Sequence, residues 1–160
     1  MKIIFLDIDG VLNYSGCKAR SPSGCIGIEH DKLQLLKQIV DATGAKIVLT
    51  STWKTEWFPT NHIEDLSADA RYLIKQLSNV RLGILDKTID TAWAKRGEGI
   101  LNYLKDCYCE AYVILDDERF DFFELGLDKN FVKTNFFNGG LNTVSVERAI
   151  KILGGKLDDC

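Results

Sequence analysis

The sequence predicts an α/β fold: a mostly parallel, five-stranded sheet with helices on both faces. Three observations carry this. Short apolar runs alternate along the chain with segments of helical periodicity, the order of βαβ units. The runs are continuous rather than alternating with polar residues, as in strands covered on both faces. Several of them stop at polar clusters, as in open parallel sheets, where ligands bind outside the carboxyl ends of the strands.

The elements follow in order. Residues 2–6, KIIFL, form the first strand, followed by Asp7 and Asp9. Residues 13–29 contain Gly16, Ser21, Pro22, Ser23, Gly24 and Gly27 and read as a loop or a small flap. Residues 30–42 form a helix with Leu33, Leu36, Ile39 and Val40 on one face, stopped by Gly44. Residues 46–49, KIVL, form the second strand and end at Thr50, Ser51 and Thr52. An irregular aromatic stretch, WKTEWFPTNH, leads to a helix over 68–77, with Ser67 as N-cap and Leu66, Ala70, Leu73, Ile74 and Leu77 at helical spacing. Residues 80–85 give a third strand. A helix over 97–105 follows, with Ile100, Leu101 and Leu104 inward. The fourth strand, 111–115 (AYVIL), stops at Asp116 and Asp117. A short helix over 120–125, a fifth strand over 130–133 and a last helix over 144–153, ended by Gly154 and Gly155, complete the fold. Residues 158–160 are expected to fray.

A chain of 160 residues predicts one domain, 1–160, with a real core. No internal repeat, linker or low-complexity segment interrupts it. Twenty basic against 23 acidic residues exclude the strongly basic footprint of a protein that coats nucleic acid, although a local basic patch is compatible with them. The five cysteines are odd in number and lack CxxC spacing, so they read as reduced thiols of a cytoplasmic protein. His30 and His62 lie far apart and offer no zinc site. No apolar run approaches the ~20 residues of a membrane helix, and the first is too short for a signal peptide.

Four polar groupings converge on one sheet edge: Asp7 with Asp9, Thr50 to Thr52, Asp116 with Asp117, and Lys95 with Arg96 just before a helix. Taken singly, each has a plain structural account as a turn former, a helix cap or solvated surface. Taken together they do not, because clustered carboxylates repel one another unless something positive sits among them. Carboxylates, hydroxyls and a cation suit a hard metal and a phosphate. Mg²⁺ takes oxygen ligands and needs neither His nor Cys.

This pattern resembles the haloacid dehalogenase (HAD) superfamily of phosphohydrolases. Its first motif, Asp-x-Asp-x-(Thr/Val) after a strand, is Asp7-Ile8-Asp9-Gly10-Val11 here. Its second, a Ser or Thr ending a strand, is Ser51 in IVLTS. Its third, a Lys or Arg before a helix, is Lys95 with Arg96 as rival, and its fourth, an acidic pair ending a strand, is Asp116 and Asp117 in VILDD. The combination FLDIDGVLN, IVLTSTW, KRGEGI and YVILDDE also resembles the small HAD domains of Swiss Army Knife RNA repair proteins.

The resemblance implies a three-layer Rossmann-like HAD fold without a large cap domain. It implies a phosphatase that works through an aspartyl-phosphate. Asp7 is then the nucleophile, and Asp9 is the general acid and then the base. Ser51 and Lys95 hold the phosphoryl oxygens, and Gly10, Thr52 and Arg96 bind substrate. Mg²⁺ is held by Asp7, the Asp9 backbone carbonyl and Asp116 or Asp117. Superfamily members that dehalogenate lack the second Asp, so Asp9 favours phosphoryl transfer. Neither 13–29 nor 53–67 is long enough for an independent cap, so the site is expected to be open to a bulky substrate such as a nucleic-acid end, a nucleotide or a phosphoprotein. No obligate protein partner is evident.

Other residues keep two readings. Trp53, Trp57 and Phe58 pack a corner of the core or stack on a base. Lys18, Arg20 and Lys54 are ordinary surface or a basic rim. Phe120, Phe122, Phe123, Phe136 and Phe137 read as core. Asp121 assists the metal loop or Lys95, caps a helix, or lies on the surface. Competing functions are a small-metabolite phosphatase and a non-catalytic phosphate-binding module. A response-regulator receiver fits less well, because its acidic pair is adjacent after the first strand and its phosphorylated Asp ends the third, where this chain has Asp86.

Overall fold

The computed structural model describes residues 1–156. Five strands form one sheet: β1 (Lys2–Leu6), β2 (Lys46–Leu49), β3 (Ile84–Lys87), β4 (Ala111–Asp116) and β5 (Phe131–Lys133). Their spatial order is β3-β2-β1-β4-β5, and every pairing is parallel. In register, Leu6 lies opposite Leu49 on one side and Leu115 on the other. The helices are α1 (His30–Thr43), α2 (Ala68–Asn79), α3 (Arg96–Lys105) and α4 (Thr143–Ile152).

Strand alternation divides the apolar residues between two cores. Ile4, Leu6 and Ile8 pack with Leu33 and Leu36 of α1, Leu73 of α2 and Ala149 of α4. Ile3 and Phe5 face the other way, onto Ile100 of α3, Phe122 and Phe131. This buries β1 on both faces and gives the three layers that the continuous apolar runs predict. The helix ends follow local chemistry. Ser67 caps α2 by accepting from the Ala70 amide at 3.1 Å, and Gly44 closes α1 with φ of 69°.

Two predicted elements are corrected. Of residues 80–85, only Ile84 and Leu85 are strand. Val80 ends α2, Arg81 adopts φ of 61°, and β3 begins only at Ile84. The apolar run exists because Val80 and Leu82 complete the core beside the helix. Asp86 therefore sits within β3 rather than after it. Residues 120–125 form turns instead of a helix, with Phe120 at φ of 40°.

Residues 13–29 are irregular apart from one antiparallel bridge, Arg20 to Ile26. They are tied to α2: the Ser23 amide donates to Asp69 Oδ1 at 3.0 Å, and the Ile28 amide to the Tyr72 hydroxyl at 3.0 Å. Residues 158–160, expected to fray, lie outside the described residues. No helix among the described residues is long and apolar enough to cross a membrane.

Candidate functional site

The strand order turns at β1 and β4. From β1 the chain builds outward through β2 to β3, and from β4 to β5 on the other side. A parallel sheet opens a crevice at such a point, beyond the strand carboxyl ends. Asp7 and Asp9 leave β1 there, and Asp116 and Asp117 end or follow β4. The Asp7 amide donates to the Leu115 carbonyl at 2.9 Å, which fixes the two loops side by side.

Asp7 and Asp116 are buried, and one guanidinium nitrogen serves both. Arg96 Nη1 lies 3.1 Å from Asp7 Oδ1 and 2.7 Å from Asp116 Oδ2. The Arg96 guanidinium also lies over the Phe120 ring, 4.4 Å from its centroid. Carboxylate oxygens of Asp7, Asp116 and Asp117 come within 4.8 Å of one another. Burial pushes the Asp7 carboxyl up to about 6, with Asp117 and Asp9 adding to the rise and Arg96 opposing it. Burial likewise raises Asp116, helped by the negative charge of Asp7, and burial raises Asp117. Burial pulls Arg96 down, but Asp7 and Asp116 more than offset it and leave it above its ordinary value.

Asp9 is half-buried, and both carboxylate oxygens are held. Asn13 Nδ2 donates to Oδ1 at 2.8 Å, and Trp53 Nε1 donates to Oδ2 at 3.2 Å. The Asn13 side-chain oxygen accepts from the Gly10 amide at 2.9 Å. That amide is therefore spoken for. What Gly10 supplies is its positive φ of 84° and the absence of a side chain, since a Cβ there would sit 2.4 Å from Asp117 Cγ.

Ser51 is buried at the end of β2. Its hydroxyl accepts from the Trp53 amide at 3.3 Å and caps the short 3₁₀ turn Thr52–Thr55. That turn swings Trp53 toward Asp9. Thr52 is exposed and lines the same cavity as Asp7 and Asp9.

Of the rival cations, the structure brings Arg96 to the site and leaves Lys95 out. The Lys95 side chain is 50% exposed and pairs with Glu98 at 2.7 Å. Successive residues of a helix point ~100° apart, so only one of the two can face Asp7. Asp121 serves the helix that carries Arg96: its carboxylate accepts from the Gly97 amide at 2.6 Å and the Glu98 amide at 3.3 Å. Of its alternatives, capping is the one observed. Lys54 forms no basic rim. It is buried, with Nζ donating to the Thr50 carbonyl, Thr88 Oγ1 and Asp90 Oδ2 at 3.3, 3.0 and 2.7 Å. Burial lowers its pKa. Lys18 and Arg20 are exposed, and Arg20 Nη1 donates to the carbonyls of Cys17 and Ala19.

The aromatics also divide. Trp57 and Phe122 are core, while Phe58, Phe123 and Phe137 are exposed, against the expectation that the last two are buried. A cavity of about 290 Å³ covers the acidic cluster. Asp7, Asp9, Arg96 and Asp117 give it a polar side, and Trp93, Phe120 and Phe136 an aromatic one. Sequence reasoning missed Trp93 and Asn13. It weighed Trp53 as core or stacking platform, never as a donor to Asp9. Asn13, four residues beyond Asp9 in a glycine-containing turn, was the available signal; Trp93 had none.

Three carboxylates face one guanidinium, and two of them are buried. Such a set lacks positive charge and fits a hard divalent cation with oxygen ligands. The side chains that would hold it are those of Asp7, Asp116 and Asp117. The Asp9 carboxylate is committed to Trp53 and Asn13, which leaves its backbone carbonyl as the group the resemblance assigns to the metal.

A family profile described as the HAD domain in Swiss Army Knife RNA repair proteins matches residues 3–146. The chain belongs to this family. The matched span contains β2 to β5, all of β1 but Lys2, and all four polar groupings of the site. HAD membership generally implies a phosphatase-type hydrolase, and this family ties the domain to RNA repair. No curated protein and no solved structure gives a match.

Proposed function

We propose that this HAD domain is a Mg²⁺-dependent phosphatase that hydrolyses phosphate monoesters through an aspartyl-phosphate, on nucleic-acid ends or nucleotides. The observation that supports this most directly is the placement of Asp7. Its buried carboxylate lies 3.1 Å from Arg96 Nη1, shares an oxygen cluster with Asp116 and Asp117, and has the fixed carboxylate of Asp9 two residues away.

In the first half-reaction an Asp7 oxygen attacks phosphorus and the ester P–O bond breaks. The leaving oxygen takes a proton from Asp9. In the second, Asp9 takes a proton from water, the water oxygen attacks phosphorus, and inorganic phosphate departs with Asp7 regenerated. Arg96 keeps Asp7 ionised against its burial and faces the phosphoryl oxygens as charge moves onto them. The sequence gives the contact with the phosphoryl oxygens to Lys95, with Arg96 as its rival. Ser51 shapes the β2 loop as a cap, and Thr52 stands at the cavity wall as a hydroxyl donor to phosphate. Asp7, Asp116 and Asp117 would hold Mg²⁺, which when bound offsets the repulsion between a carboxylate nucleophile and a phosphate dianion. The described cysteines are free thiols, in keeping with a reducing compartment such as the cytoplasm.

The test is phosphate release from a simple monoester with Mg²⁺, comparing the native protein with Asp7→Asn. Release that needs both Mg²⁺ and Asp7 is expected. Equal rates in the two proteins would remove the enzymatic reading.

A further inference from the structure

We infer that the aromatic side of the cavity is a nucleobase subsite with Trp93 as its platform, so that the substrate carries a base stacked on the indole. The inference deepens the phosphatase reading and rests on it for the position of the phosphate.

Trp93 lies on the loop between β3 and α3 and is 79% exposed. An indole left in water forgoes the gain that burying a large apolar side chain brings. This one is nonetheless held in place: it meets the Phe120 ring edge to face, with centroids 6.2 Å apart at 79°. Phe120 in turn lies under Arg96, whose Nη1 touches Asp7. Trp93 thus stands one aromatic ring beyond the layer that touches the phosphate-site cation.

That spacing selects the leaving group. In an aryl phosphate the ring is esterified directly to phosphorus and would reach Phe120. In a nucleotide a sugar separates base from phosphate, and the base would reach Trp93. The groove also continues past the indole. A second cavity of about 400 Å³ shares Thr52, Trp93 and Arg96 with the first and adds exposed, apolar Ile89. Base-sized apolar space therefore adjoins the reacting centre.

Polar groups line the same space, among them Asp90 Oδ1, a buried acceptor with no hydrogen-bond partner. The three Lys54 protons go to the Thr50 carbonyl, Thr88 and Asp90. Thr88 Oγ1 itself donates to the Leu49 carbonyl at 3.4 Å. Stacking on the indole is itself sequence-tolerant, because every base has a π face.

The experiment compares kcat/KM for adenosine monophosphates, glycerol 3-phosphate and a phosphotyrosyl peptide in the native protein, Trp93→Ala and Trp93→Phe. The ratio of nucleotide to glycerol phosphate should fall about tenfold in Trp93→Ala and recover largely in Trp93→Phe. An unchanged ratio in Trp93→Ala would overturn the subsite, and so would an equal loss on the phosphotyrosyl peptide. If the native protein hydrolyses none of these, the phosphatase reading fails, and calorimetric binding of adenosine monophosphate decides the subsite alone. Binding about tenfold weaker in Trp93→Ala supports it, and equal affinity overturns it.

Discussion

The indole N–H of Trp53 donates to Oδ2 of Asp9 across 3.2 Å. The bond reaches from the turn after β2 to the loop after β1 and, with Asn13 on the other oxygen, leaves the Asp9 carboxylate one orientation. Trp53→Phe keeps a ring in the same half-buried place and removes the donor. A hydrogen bond to a charged group is worth ~1.5–3 kcal/mol, so if its loss is felt in proton transfer, kcat should fall about tenfold or more. Steady-state kinetics should show the loss in kcat rather than in KM. A change confined to KM would mean that Trp53 contacts substrate instead.

Arg96 and Lys95 are adjacent and carry the same charge, yet they should behave very differently. Arg96→Ala removes the group between Asp7 and Asp116 and should cost ~10²–10³ in kcat, as loss of a preorganised charge-stabilising donor does. Arg96→Lys should rescue little. One guanidinium nitrogen spans two carboxylates while its plane lies over Phe120, a geometry an ammonium does not reproduce. Lys95→Ala breaks only an exposed pair with Glu98 and should change the rate less than twofold.

This pair shows where the sequence was legible. Asp7, Asp9, Asp116 and Asp117 could be placed because each follows or ends a buried strand, and parallel pairing brings β1 and β4 side by side. Ser51 could be placed for the same reason. The cation enters from a helix start, where one residue of slip rotates the side chain out of the site. Only the packing of Arg96 on Phe120 and the bonds of Asp121 to the first turn of α3 fix that register, and both partners are some 25 residues downstream. The missed β3 boundary has a similar cause. Val80 and Leu82 are apolar because they finish the core at the end of α2, so apolarity did not mark a strand. The sequence predicts Phe120 in a helix and in the core, but its φ of 40° breaks the helix and turns its ring under Arg96.

Gly10 is required by space as well as by conformation. With φ of 84°, any other residue there pays ~1–2 kcal/mol. An added Cβ also meets Asp117 Cγ at 2.4 Å, so Asp117 must move. Gly10→Ala should lower the melting temperature by about 4–8 °C, as ~2 kcal/mol does in a domain of this size. It should also weaken Mg²⁺ binding, because the displaced carboxylate belongs to the acidic cluster. Calorimetric titration with Mg²⁺ checks the second effect separately from the first. Unchanged Mg²⁺ affinity would show that Asp117 is not among the ligands.

The acidic cluster should make the metal-free protein more stable in mild acid than at neutral pH. Asp7 titrates near 6 in the folded protein against an ordinary value of 3.8, and Asp116 and Asp117 are raised as well. Between those limits the folded state binds more protons than the unfolded state, so stability falls as pH rises through the window. For Asp7 alone the shift corresponds to on the order of 3 kcal/mol, fully expressed above about pH 6. A divalent cation reverses the balance by favouring the ionised carboxylates. Mg²⁺ should therefore raise the melting temperature strongly at pH 7.5, and the increment should shrink as pH falls through about 6, where protons displace the metal. In Asp7→Asn the acid stabilisation of the metal-free protein should lessen, since one of the groups that bind extra protons is gone. Melting curves in chelator and in Mg²⁺ across this range measure both effects. A Mg²⁺ increment as large at pH 5 as at pH 7.5 would mean that the metal binds elsewhere than at these three carboxylates.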